Sequence, residues 1–223
     1  QTVVYYRVPE LVALQIEDFG GETDSTRAGA YGPETRTIVH DHDRVYVVCS
    51  VPPGGTQAQL SLDETSRETA IATFDPGSEL LAVRASSVEI ADGARSAVLS
   101  RFGIGRSDRL SPTVLRDQFG AETVAAYRGL TFDGTGRQMV TDWIEVSAGN
   151  QAEDVEDLRR DDVVTTLLGR SDLELTEAQA VVEINETLSI SLLYDESRID
   201  IRRFIPERTF IKLDQAVVSA MEQ

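Results

Sequence analysis

Cysteine is nearly absent from this chain: Cys49 is the only one in 223 residues. A single thiol cannot build an intramolecular disulfide framework or a cysteine-based zinc site. Histidine is almost as scarce, limited to His40 and His42. Lysine is rarer still, because Lys212 is the only one among 21 basic residues and the other twenty are arginine. No apolar run approaches the ~20 residues a helix needs to cross a bilayer, and no secretory leader is expected in the residues given. A Gly-x-Ser-x-Gly elbow, which would expose a serine nucleophile, is missing as well.

What is present in excess is acid. Aspartate and glutamate total 38, for a formal net charge of −17. Exchanging lysine for acidic residues while keeping arginine, whose planar fork suits fixed pairing, is the pattern expected of a protein that works in saturated salt. There the Debye length is about 3 Å or less, so self-repulsion is screened. The blander alternative is an acidic protein from a GC-rich genome, which also favours arginine. Either way nucleic acid is not expected as a partner. The densest basic pairs, Arg159-Arg160 and Arg202-Arg203, are diluted by Asp157, Asp161, Asp162 and Asp200, and no basic patch remains to neutralise phosphates.

The order of apolar residues points to β structure. Val45-Tyr46-Val47-Val48-Cys49-Ser50-Val51, closed by Pro52-Pro53-Gly54-Gly55, predicts a central strand. Two-residue alternation recurs at Val3–Val8, Leu11–Ile16, Gln57–Leu62, Thr69–Phe74, Leu80–Val83, Val88–Ile90, Ser96–Phe102, Gln138–Val146, Val181–Ile184, Leu188–Tyr194, Ile199–Ile205 and Thr209–Leu213. Asp75-Pro76-Gly77 and Asp92-Gly93 are turn signals. Ser111-Pro112 starts one short helix, Glu122–Arg128 could supply a second, and Val163–Leu168 fits a helix or a strand. Asp214 N-caps helical spacing in the tail. No repeat stands out at solenoid or propeller period. The expected class is all-β: a jelly-roll sandwich or barrel with an additional smaller β-domain and a few short helices.

Few residues are candidates for chemistry. His40 and His42, two apart on an extended chain, would face the same side as in cupin-type metal sites, but no third histidine completes the set. They remain the weak metal candidates, and no cofactor is expected. Cys49 is either a small buried hydrophobe or, through the strand end at Pro52, an inter-subunit disulfide. Asn185-Glu186-Thr187 fits the glycosylation pattern in a connection between strands. Asp133-Gly134-Thr135-Gly136 is a turn rather than an aspartic-protease loop. Gly103-Ile104-Gly105-Arg106-Ser107 lacks the lysine of a phosphate loop. Acidic pairs such as Glu153-Asp154 and Asp161-Asp162 read as solvated surface. No catalytic residue is assigned, and the chain is not expected to be an enzyme.

The opening Val3-Val4-Tyr5-Tyr6-Arg7-Val8-Pro9-Glu10-Leu11-Val12, the Gly20-Gly21 loop, the β-rich pattern and the acidic composition together resemble the major capsid proteins of haloarchaeal sphaerolipoviruses. The likeness extends over essentially all 223 residues. It implies a single jelly-roll capsid subunit, the larger of two, in an icosahedral shell over an internal membrane. The base would comprise residues 1–52 and 136–223, with an inserted outer β-domain at 53–135. Partners would be copies of itself, a second and smaller capsid subunit, and the internal membrane or its proteins. The location would be the virion shell. The alternatives are a cupin-like metal-binding enzyme and a haloarchaeal surface, tail or carbohydrate-binding β-module.

Overall fold

Apolar residues at every second position build the first sheet, as Val45, Val47, Cys49 and Val51 do in one strand. The computed structural model describes residues 1–14, 25–27, 34–39, 44–52, 67–75, 77–120, 124–134, 144–147 and 157–221. The chain is mostly β and divides into two compact units, residues 1–110 and 111–223. The segment expected as an insertion, 53–135, spans the boundary between these two units.

In the N-terminal unit, β1 (Thr2–Arg7), β2 (Ser25–Arg27), β3 (Glu34–Val39), β4 (Val45–Val51), β5 (Glu68–Phe74) and β6 (Leu80–Ala85) form a sheet in the order β2-β3-β4-β5-β6-β1. The short β7 (Asp108–Arg109) pairs with the end of β1. These pairings are antiparallel, with registers such as Cys49↔Ala70, Val45↔Phe74 and Val4↔Val83. One face presents Val4, Tyr6, Val45, Val47, Cys49, Val51, Ala70, Ala72, Phe74, Leu81, Val83 and Ala85. The two-residue period puts all of them on the same side of the pleat. Helix α1 (Val88–Phe102) covers that face with Ile90, Ala91, Ala94 and Val98.

The helix α1 corrects two expected strands, Val88–Ile90 and Ser96–Phe102, and the expected turn at Asp92-Gly93. Its buried residues follow helical spacing, and Gly93 is itself buried there. The Ser87 hydroxyl accepts from the Ile90 amide at 3.4 Å, capping the start. Gly103 ends the helix in the left-handed region (φ 66°), with its N–H turned to the Leu99 and Ser100 carbonyls. The expected strand Leu11–Ile16 is corrected over its described part, where Pro9–Ala13 is a 3-10 turn started by proline. The Gln57–Leu62 strand lies outside the described residues.

The C-terminal unit comprises α2 (Pro112–Gln118), β8 (Ala126–Gly134), β9 (Ile144–Ser147), a 3-10 turn (Leu158–Arg160), α3 (Asp162–Leu168), β10 (Leu173–Glu183), β11 (Thr187–Leu193), β12 (Arg198–Ile201) and α4 (Glu207–Met221). Its strands pair antiparallel in the order β9-β8-β10-β11-β12. Register shifts between Leu175 and Glu177, and between Gln179 and Ala180, bend the long β8–β10 pair. Two expectations fail here. The segment expected as a helix at Glu122–Arg128 is already strand from Ala126, and Thr209–Leu213 lies in α4 rather than in a strand. Pro206 precedes α4, and Thr209, Phe210, Leu213, Asp214 and Val217 turn to its buried side at three- and four-residue intervals. Of the residues expected to pack from the Gln138–Val146 strand, Met139, Val140 and Trp143 lie outside the described residues.

The two units share some elements: each has a proline-started helical turn (Pro9–Ala13 or α2), then antiparallel strands, then a 15-residue helix (α1 or α4). In sequence, Phe19-Gly20-Gly21-Glu22-Thr23 and Phe119-Gly120-Ala121-Glu122-Thr123 are similar stretches one hundred positions apart.

Candidate functional site

In each unit, one group of polar side chains comes together around buried tyrosines. Tyr6 sits on β1 facing α1, and its hydroxyl donates to Asp92 Oδ1 at 2.8 Å. Arg109 on β7 donates to the other oxygen, Oδ2, at 2.9 Å. The Arg109 and Arg95 guanidiniums lie 4.9 and 5.1 Å from the Tyr6 ring centroid, within cation–π range. Arg95 is three residues from Asp92 on the helix and 4.0 Å from its Oδ1. Burial pushes the Tyr6 hydroxyl well above its usual range, Arg109 pulls the other way, and Asp92 adds to the rise. The hydroxyl therefore keeps its proton and acts as a donor, not as a base.

In the C-terminal unit, Tyr127 and Tyr194 both donate to the Phe119 carbonyl at 3.1 Å. Burial raises both phenols. Arg159 stacks on Tyr127 and Arg116 on Tyr194, at 5.8 and 5.6 Å. Asp157 accepts from the Tyr127 amide at 3.0 Å and from Arg159 Nε at 2.6 Å, while Arg159 reaches the Ala125 carbonyl. Desolvation works to raise the Asp157 carboxyl, but the Arg159 side chain and two backbone amides outweigh it and hold the acid below its usual range. Arg116 forks to Glu174, Asp195 and the Leu175 carbonyl. Such forks fix geometry, binding several segments through charge-assisted hydrogen bonds.

The residues singled out in the sequence are not brought together. His40 and His42 lie outside the described residues. Cys49 is fully buried between β4 and α1, its sulfur 3.7 Å from the Val47 carbonyl and 3.9 Å from that of Ala94. Burial pushes the thiol up to about 12, against a weaker pull from Arg101. Cys49 is a free, buried thiol in this structure, whereas an inter-subunit disulfide would need its sulfur at the surface. Asn185 is exposed in the β10–β11 turn and donates to the Arg208 carbonyl at 3.3 Å. Among the described residues no group of three His, Cys, Asp or Glu could hold a metal ion. Nor is any of their helices long and apolar enough to cross a membrane.

The Tyr6–Asp92–Arg95–Arg109 cluster was missed in the sequence because Asp92 was assigned to a turn. Only a helix over 88–102 puts Asp92 and Arg95 on one side, a spacing visible once that helix is known. No protein-family model matches the chain, and no curated protein matches it at a significant level.

Proposed function

We propose that the chain is a structural subunit that assembles in strong salt. In its most specific form it is the major capsid subunit of a halophilic archaeal virus, located in the shell with copies of itself, a smaller second subunit and an internal membrane. The observation that carries this reading is how the arginines are used. In an almost lysine-free chain of net charge −17, Arg109, Arg116, Arg159, Arg170, Arg198 and Arg203 are held in short forks to carboxylates. Short-range contacts of this kind, with apolar packing, survive ionic strength that screens longer-range attraction. The jelly roll is the finer form of the proposal. It requires Greek-key crossings, whereas β3 to β6 and β10 to β12 pair with their chain neighbours, so the assembly role stands on the ion-pair framework rather than on that topology.

The test is assembly state, by light scattering and electron microscopy, in multimolar salt and after dilution. Capsomers or closed shells that come apart in dilute buffer are expected. A monomer at every salt concentration overturns the proposal.

A further inference from the structure

Three large apolar side chains stand exposed among the described residues: Val12, Val163 and Phe204. Phe204 is 89% exposed, in the connection between β12 and α4. A phenylalanine this open gains nothing from the fold of its own chain. Its setting is basic. Arg202, Arg203 and Arg208 are exposed around it. Arg203 is held by Glu186 Oε2 and the Thr187 carbonyl, both at 2.8 Å, which anchors the connection. Among the described residues, neither Arg202 nor Arg208 has an ion-pair partner. Two guanidiniums without an ion pair, as exposed as Arg128 and Arg160 elsewhere, thus flank a bare aromatic ring, with Glu207 the one acid beside them. Aromatic and arginine side chains are the types that dominate binding energy at protein interfaces.

The complement stands elsewhere on the same chain. Val163 is 65% exposed at the start of α3, next to the exposed carboxylates of Asp161 and Asp162. The described stretch before it, residues 157–162, carries Asp157 as well, against Arg159 and Arg160, and Arg159 is already bound to Asp157. One exposed apolar side chain thus sits in a basic surround and another in an acidic one.

We infer that the Phe204 connection is a docking element for a second copy of this chain, seating on the Val163 surface with Arg202 and Arg208 against Asp161 and Asp162. The contact is heterologous: each copy offers one of each surface, so it closes into rings or propagates rather than stopping at a symmetric dimer. Opposite local charge fixes the pairing, and desolvation of the ring supplies the affinity. An anionic lipid surface would also attract the arginines, but it has no feature matching the Val163 patch and would repel the rest of a chain of net charge −17. The inference deepens the assembly reading and rests on it.

Sedimentation velocity in multimolar salt on wild type, Phe204→Ser, Val163→Asp and an equimolar mixture of the two variants tests it. Each substitution is expected to weaken self-association by about thirtyfold or more, as for a central interface aromatic. The mixture, retaining one intact pair of surfaces, is expected to form one-to-one dimers and nothing larger. Both positions are exposed, so unchanged circular dichroism and melting temperature establish that the variants are folded. If wild type associates and the variants match it, this inference is overturned while the assembly reading stands. A wild type that stays monomeric removes both. Loss of binding to anionic phospholipid vesicles in Phe204→Ser, with self-association intact, also overturns it and assigns the loop to a membrane.

Discussion

The thiol of Cys49 shows how one residue's surroundings set its chemistry. It occupies a core position on β4 opposite Ala70, beneath Ala94 of α1. With its pKa pushed up to about 12 by burial, it stays protonated at any ordinary pH and is a poor nucleophile. Iodoacetamide at pH 8 is therefore expected to leave the native protein unlabelled and to modify it fully in denaturant, as read by mass spectrometry. The sign of the linkage is equally definite. An unfolded thiol ionises near pH ~8.5, so the stabilising contribution of the buried neutral form is intact below that and is lost as pH rises toward about 12. Gly120 is fixed by a different constraint: a Cβ there would lie 2.4 Å from the Arg116 carbonyl oxygen. Glycine is required because backbone meets backbone where α2 ends. That constraint left its mark in the sequence as the Phe-Gly pair, whereas nothing local told that Cys49 would sit beneath a helix.

Among the elements, β4, β5, β11 and β12 were legible because alternation and β-branched residues agree with their final burial. Helices α1 and α4 were not. Val88-Glu89-Ile90 and Thr209-Phe210-Ile211 are locally strand-like, and both segments became helices because an amphipathic stripe had a surface to cover, the sheet in the case of α1. Helix α3 illustrates the opposite situation, in which a local signal suffices: Asp161 caps it through the Val163 and Val164 amides at 2.8 and 3.3 Å. The preceding turn depends on Asp157, which ties Tyr127 of β8 to Arg159. Because its folded carboxyl is held below the usual range, its contribution is present above the ordinary aspartate pKa of about 3.9 and fades as pH falls through the lowered value. Asp157→Asn is expected to cost about 1–3 kcal/mol at pH 7 in urea unfolding. The difference from wild type should shrink in acid. A difference that is constant down to pH 2 would show that the carboxylate's charge is not what matters.

For the whole molecule, charge dominates. A net charge of −17 acts against any compact state when the Debye length is long, about 30 Å at 0.01 M salt, and little when it is about 3 Å. The melting temperature is therefore expected to rise steeply with added potassium chloride from the millimolar into the molar range. A flat profile would mean that the arginine forks alone offset the repulsion. The elements common to the two units, each with a 15-residue helix after its main strands, belong to this scale too. The expected insertion at 53–135 was what the capsid resemblance implied, and the two compact units, 1–110 and 111–223, divide that segment between them.

The sequence by itself determined the ionic character, the predominance of β structure and the lack of a cysteine framework, because these follow from composition and from a two-residue period. It also set the strand that holds Cys49 and the proline start of α2 after Ser111. Tertiary structure alone decided that 88–102 and 207–221 are helical, that Asp92 meets Tyr6 and Arg109 across three elements, and that Phe204 remains uncovered. The physical reason is common to all three. Each depends on which surfaces remain after the sheets have formed, and a residue's neighbours in the chain carry no record of that.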